Sequence, residues 1–525
     1  MVRPPRARPY NPGMTSHDTA GTPATPVRVR IAPSPTGPLH IGTARTALFN
    51  FLFARHHGGT FILRLEDTDQ ARGSIAFEKD ILDGLHALGI TWDEGPAVAG
   101  EEARGPHAPY RQMERLPGYA DAAAKLLSRD LVYPCYCTPA ELEADRRLAE
   151  AEHRPPRYSG RCGLLTPAQR VARETEGATP ALRFRVPPDT IIAFHDRIRG
   201  HVEINTDALG GDFVIVRGDG TPLYHFTVVV DDAAMEITHV IRGEDHLSNT
   251  PKHILLFEAL GHEPPVFAHL PLILNADRTK MSKRKSQTAV SDYLAQGFVR
   301  EALVNYLALL GWSTGTEEEI LGLDELVARF DLDHVQKSGA IFDRERLEWI
   351  NGQWIRRLAP DDLVERLRPF LEADHVMGRM EHLPSDAEIR VLIPLVQERL
   401  PTLGAITDTV GFLFVDDVAP DPAALIPKRW DVATTLIGLI AARDVIADVG
   451  RVSFEADELE PPLRRLADER GWKAGDVFMA IRVAVTGRTA TPPLFDTLVA
   501  LGYDRTLHRL DRAIDELRSA VSTPG

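Results

Sequence analysis

From residue 27 to 67 the chain reads VRVRIAPSPTGPLHIGTARTALFNFLFARHHGGTFILRLED, and this stretch restricts the fold more than any other. Residues 27–31 alternate Val and Arg as a short strand, which Pro33, Pro35 and Gly37 then break. A helix is predicted from about Leu39, with Leu48, Phe49, Leu52 and Phe53 on an apolar stripe, and Gly58 and Gly59 end it. A second strand, TFILRLED, begins at Thr60. Strand, helix and strand in this order are the unit from which parallel sheets are built, so the expected fold class is α/β.

The remaining chain is organised around that unit. Residues of about 107–222 mix helical PAELEADRRLAEAE with strand-like ALRFRVP and DFVIVR and carry all three cysteines, as an inserted α+β domain would. The sheet pattern resumes in YHFTVVVDDAAMEITHVIRGEDH, expected to hold one buried strand and a second that ends in charged residues. From about 290 the pattern is mainly helical, as in REALVNYLALLGW and DRERLEWINGQWI. Residues 1–26, rich in Pro, Thr and Arg, lack an apolar periodicity and read as a disordered tail, with Met14 as an alternative start. No apolar run approaches the roughly 18 residues that a membrane span needs. Three cysteines suit a reducing compartment, with the cytoplasm as the default. A net charge of −15 excludes a uniformly basic nucleic-acid binder, so any polyanion must meet a local patch.

Two segments have the chemistry for such a patch. A helix N-terminus offers free N–H groups and partial positive charge, and Gly42 at its mouth lets a ligand approach the backbone while His40 donates to a phosphate oxygen. Taken alone, the same residues also make an ordinary capping turn. The second segment, NADRTKMSKRKS at 275–286, crowds Lys280, Lys283, Arg284 and Lys285 into six positions without an apolar face. Such a cluster suits a departing diphosphate, although a solvated basic loop reads the same way. Both segments follow predicted strand ends, where open α/β sheets bind ligands.

In combination, HIGT at 40–43 and KMSKR at 280–284 resemble the HIGH and KMSKS signatures of class I aminoacyl-tRNA synthetases. RIAPSPTGPLHIGTARTALFN, LRLEDTDQAR, VIRGEDHLSNTP, FDRERLEWINGQWI and MAIRVAVTGRTATPPLFDTLVALG are similar in sequence and order to bacterial-type glutamyl-tRNA synthetases. The resemblance implies a Rossmann-like parallel-sheet catalytic domain in two halves, 27–106 and 223–273. An acceptor-stem-binding insertion would occupy 107–222, a stem-contact domain with the KMSKS-like loop 274–358, and an all-α anticodon-binding domain 359–525. It further implies ATP with Mg²⁺, L-glutamate and tRNA(Glu) as partners, tRNA(Gln) as an open alternative, and a monomer. Catalytic roles fall to His40, Gly42, Lys280 and Lys283, and ATP binding to His40, Gly42, Thr43, Lys280, Met281, Ser282, Lys283 and Arg284. Glutamate would be held by Arg30, Ser34, Glu66, Tyr224 and Arg242, while Val228 departs from relatives that have Asn at its position. The resemblance leaves the anticodon-reading residues unassigned; Arg464, Arg465 and Arg482 serve equally well as helix-surface residues.

Cys135 and Cys137, with Cys162 25 residues after the latter, supply three thiolates of a tetrahedral Zn²⁺ site or three reduced thiols packed in a small module. The resemblance adds Tyr158 as a fourth ligand, His153 is a further candidate, and Leu164 stands where other relatives have a histidine. Competing readings are a glutaminyl enzyme, a shortened paralogue that modifies a tRNA base, a nucleotidyltransferase of HIGH type, and a catalytically silent RNA-binding relative. Dehydrogenase, P-loop and serine-hydrolase readings fail because G-x-G-x-x-G, G-x-x-x-x-G-K-[ST] and G-x-S-x-G are absent.

Overall fold

A computed structural model describes residues 26–69, 71–97, 102–281 and 288–522. The proposed tail up to residue 25, and Ser282, Lys283, Arg284 and Lys285, lie outside the described residues. The chain divides into two compact units, one reaching Asp292 and including Leu303–Asp343, the other comprising Tyr293–Ala302 and everything from Arg344 onward.

In the first unit β1 (Arg28–Ile31) leads through α1 (Ile41–His56) to β2 (Thr60–Leu63), which pairs parallel to β1. The expected unit is present, and α1 starts at Ile41 because His40 caps it. Its apolar surface is wider than a stripe: Ile41, Ala44, Leu48, Phe49, Phe51, Leu52 and Phe53 are all buried, as for a helix covered on more than one side. After α2 (Ile75–Ala87) come α3 (Leu116–Ser128), β3 (Val132–Cys135), α4 (Pro139–Ala151), α5 (Pro167–Thr175), β4 (Ala181–Phe184), β5 (Ile191–Asp196), β6 (Gly200–Asn205) and β7 (Phe213–Val216). Strands β3, β4 and β7 make an antiparallel sheet of their own. By contrast, β5 and β6 join the sheet completed by β8 (His239–Gly243) and β9 (Val266–Leu270), in the order β6-β5-β9-β8. Here β9 runs parallel to both β8 and β5, and Thr238 N–H, at the start of β8, donates to the Arg28 carbonyl of β1 at 2.9 Å.

One expected element is different. The segment from Tyr224 is a helix, α6 (Tyr224–Ala234), and not a buried strand. Its Val-rich run has strand propensity, but a short apolar run cannot be told from a buried helix by pattern, and packing decides. Here α6 packs against α3 and α7 (Thr250–Leu260), with Phe226, Val228 and Val229 in the core. The helix also sends the consecutive carboxylates of Asp231 and Asp232 to one arginine, Arg64, at 3.6 and 2.7 Å. In a strand those two side chains would face opposite sides of the sheet.

The elements from Arg344 onward are helices, among them Arg344–Arg357, Pro360–Val376, Val432–Gly450, Ala474–Thr486 and Tyr503–Ser522. Among the described residues no helix is long and apolar enough to cross a membrane.

Candidate active site

At the mouth of α1 the His40 ring folds back so that its Nδ1 accepts the Gly42 N–H at 2.9 Å. A neutral His40 therefore carries its proton on Nε2. A Cβ at position 42 would lie 3.2 Å from His40 Nδ1, a tight contact that the glycine avoids. The Ile41 N–H donates to the Thr288 carbonyl at 2.9 Å. Among the described residues no acceptor bonds the amide of Thr43, a residue that lines a cavity.

That cavity measures about 850 Å³. Its walls bring together His40, Gly42, Thr43, Lys280 and Met281 from the two signature segments, Arg30, Ser34, Glu66 and Arg242 from β1, β2 and β8 and the turns after them, and Tyr224 from the start of α6. Every candidate catalytic, ATP or glutamate residue that the structure describes lines this one space; Ser282, Lys283 and Arg284 are not among the described residues. Val228 also lines the cavity, as an apolar patch from α6.

The charges in this space differ in how they are held. Arg30 is buried and makes a two-pronged pair with Asp232, both contacts at 3.2 Å. Arg64, wholly buried, is shared among Asp232, Asp231 and Glu66. Burial pushes the Glu66 carboxyl up to about 7, against the opposing pull of Arg64 and Arg30, and its Oε1 has no hydrogen-bond partner among the described residues. Arg242 has a different shell. Its Nε donates to His269 Nε2 at 3.1 Å, Nη1 to His253 Nδ1 at 3.1 Å and Nη2 to Thr250 Oγ1 at 2.8 Å. Burial lowers its pKa, and no carboxylate bonds to it among the described residues. Tyr224, whose hydroxyl burial pushes up to about 12, bonds His246 Nδ1 at 3.0 Å. At the rim, Lys280 is exposed and pairs with Asp245 at 3.2 Å.

Sequence reasoning missed Arg64, Asp231 and Asp232, and the imidazoles of His246, His253 and His269. The available signal was the acidic pair within VVVDDAA, since adjacent buried carboxylates require cations close by.

In the antiparallel module the three cysteines are unpaired and their sulfurs lie within 4.8 Å of one another. Cys137 Sγ is 3.5 Å from Cys162 Sγ, and the Tyr158 hydroxyl is 3.4 Å from Cys135 Sγ and 3.6 Å from Cys137 Sγ. Zn–S bonds of about 2.3 Å place tetrahedral sulfurs about 3.8 Å apart, close to this spacing. The buried guanidinium of Arg183 donates to Cys135 Sγ at 3.1 Å and lies 3.8 Å over the Tyr158 ring, so the donor set suits thiolates. His153 is exposed and does not join the cluster. Of the candidate anticodon arginines, Arg464 pairs with Glu460 and Arg482 donates to the Pro492 carbonyl at 2.9 Å.

Known proteins match this architecture along nearly the whole chain. Residues 26–349 match the model for the catalytic domain of class I tRNA synthetases (E and Q), and residues 362–514 that for an anticodon binding domain. The chain is 46% identical over 492 residues to a glutamate–tRNA ligase of Heliobacterium modesticaldum, covering 93% of this chain and 97% of that protein. A glutamate–tRNA ligase of Carboxydothermus hydrogenoformans is 46% identical over 479 residues, covering 91% and 97%. The crystal structure of a glutamate tRNA ligase from Elizabethkingia meningosepticum, in complex with its amino acid, superposes with a TM-score of 0.84 at 34% identity, covering 94% of this chain and all of that one.

Proposed function

Because the chain belongs to the family of class I tRNA synthetases for glutamate and glutamine, we propose that its cavity holds glutamate and ATP side by side for the ligase reaction. The chain is a glutamate–tRNA ligase: it joins L-glutamate to ATP as glutamyl-adenylate with release of diphosphate, then passes the glutamyl group to the 3′ end of tRNA(Glu) with release of AMP. The observation that carries the reading is the convergence of the α1 mouth, the strand-end arginines and Lys280 on one cavity.

The attacking carboxylate is already ionised at neutral pH, so the first step needs alignment and charge stabilisation and no general base. In this reading the His40 Nε2–H and the Thr43 amide meet the phosphates of ATP, which enters with Mg²⁺. Lys280, with Lys283, offsets the charge that develops on the leaving diphosphate, and Met281, Ser282 and Arg284 complete the ATP contacts. Lys280 exchanges Asp245 for a phosphate oxygen to do so, and its exposed position makes that exchange inexpensive. Arg242 receives a carboxylate of glutamate, because among the described residues no carboxylate is bonded to it. Arg30, Ser34, Glu66 and Tyr224 form the rest of the amino-acid pocket.

Cys135, Cys137, Cys162 and the Tyr158 hydroxyl hold a structural Zn²⁺ in this reading, supported by the spacing of the four ligand atoms. The ion would tie the end of β3 to the turn containing Cys162 and take no part in the reaction. Elemental analysis of purified protein should find about one zinc per chain, lost in C137S; a metal-free, fully folded protein contradicts this assignment. We read the enzyme as a monomer, since one chain supplies the described residues of the proposed pocket, and as cytoplasmic, since its three cysteines are unpaired.

The test is aminoacylation with radiolabelled glutamate, ATP and purified tRNA(Glu) or tRNA(Gln) in separate reactions. Charging of tRNA(Glu) supports the reading, charging of both widens its tRNA range, and failure to charge either refutes it.

A further inference from the structure

Arg242 is held in an unusual way, by neutral acceptors whose protonation is itself arranged. Its Nε–H needs a lone pair on His269 Nε2, 3.1 Å away. A neutral imidazole offers a lone pair there only when the proton sits on Nδ1. On the other side of the ring, His269 Nδ1 lies 2.5 Å from Asp196 Oδ2, and both side chains are completely buried. The second oxygen, Asp196 Oδ1, accepts the backbone N–H groups of Ile198 at 3.0 Å, Arg199 at 2.8 Å and His269 at 3.2 Å. Burial works against its charge, but His269 and these N–H groups keep the Asp196 carboxyl below its usual range. The carboxylate comes from the end of β5, brought beside β9 by the parallel pairing of Asp196 with Phe267.

We propose that Asp196 and His269 are positioning residues for the amino-acid pocket: Asp196 fixes the proton of His269 on Nδ1, and His269 thereby holds the Arg242 guanidinium toward the cavity with its charge uncancelled. This rests on the reading of Arg242 as a carboxylate receptor. Were a carboxylate bonded to Arg242 directly, as Asp232 is to Arg30, the ligand's carboxylate would compete with a resident partner. An imidazole acceptor orients the guanidinium and leaves its charge available. Among the described residues Nη1 has one acceptor, His253, which leaves its second N–H for the ligand.

Asp196→Asn gives a specific test. The Asn carbonyl can keep the three backbone N–H bonds, but its amide turns a donor toward His269 Nδ1. The ring must then carry its proton on Nε2, donor against donor at Arg242. Hydrogen bonds to charged groups are worth about 1.5–3 kcal/mol, so the glutamate KM of the full-length D196N enzyme should rise roughly ten- to a hundredfold with the ATP KM little changed. In H269Q a side-chain oxygen can accept from Arg242 whatever residue 196 is. H269Q should therefore raise the glutamate KM less than D196N does, and adding D196N to H269Q should raise it no further. Additive effects in the double variant, or equal rises in the glutamate and ATP KM, overturn the relay and leave a purely structural role. Should D196N fail to fold, ¹⁵N NMR of His269 in the wild-type protein decides: an Nδ1–H tautomer agrees, an Nε2–H tautomer refutes. R242Q serves as the control, because an unchanged glutamate KM there removes the pocket assignment itself, whereas a raised KM in R242Q with none in D196N removes only the relay.

Discussion

Arg30 and Arg242 wall the same cavity, but their partners leave them with different charges to offer. Asp232 offsets Arg30 through a two-pronged pair, whereas among the described residues Arg242 bonds only neutral groups. Replacing Arg242 by Gln should therefore raise the glutamate KM by two orders of magnitude or so, in line with loss of a charge-assisted bond in a buried site, with the ATP KM changed far less; steady-state kinetics in each substrate checks this. Glu66 makes a second prediction. Its folded carboxyl is raised from 4.5 to about 7, chiefly by burial, so the folded chain keeps a proton that the unfolded chain loses between these values. Its contribution to stability is complete below about 4.5, declines as pH rises, and is gone by about 7. Thermal melts from pH 5 to 7.5 should show wild type losing stability relative to E66Q as pH increases; parallel curves would contradict the assignment of a buried, protonated Glu66.

Elements of this fold were legible where their signals are local. The strand, the proline-stiffened turn and the capped helix of residues 27–56 are punctuated by their own Pro, Gly and His residues, and the structure repeats them. The site was legible only in part: Arg30, Glu66 and Arg242 follow from strand ends and from the family pattern. The helix at Tyr224 was not legible, because its β-branched run is overruled by packing against α3 and α7 and by Arg64 gathering its carboxylates. The Asp196–His269–Arg242 chain was out of reach for another reason, since its members stand 73 and 27 residues apart and no local pattern links them. In the second unit, Gly438 within helix Val432–Gly450 shows how contact outranks propensity. Alanine gains about 1 kcal/mol of helix propensity over glycine, but its Cβ would fall 2.6 Å from the Trp430 ring. Such overpacking costs about 1–3 kcal/mol, so Gly438→Ala should lower the melting temperature; an increase would show that the ring gives way freely.

At the scale of the whole molecule, a chain of net charge −15 handles a polyanion. Contacts to tRNA must then be local and cationic, and phosphate contacts release counterions, which makes them strongly dependent on salt. The tRNA KM should rise steeply between 50 and 200 mM salt, about tenfold or more if several phosphates are contacted. The glutamate KM should move much less, because its charges are buried and poorly screened. Equal slopes for both substrates would contradict a buried amino-acid pocket. The account depends most on one cavity in which the α1 mouth serves a nucleotide and Arg242 serves a dicarboxylic amino acid. A crystal structure with a non-reactive glutamyl-adenylate analogue tests this most directly. The account predicts the analogue's phosphate beside His40 and Thr43 and a carboxylate about 3 Å from the Arg242 guanidinium; an analogue bound outside this cavity, or one whose amino-acid end points away from Arg242, would contradict it.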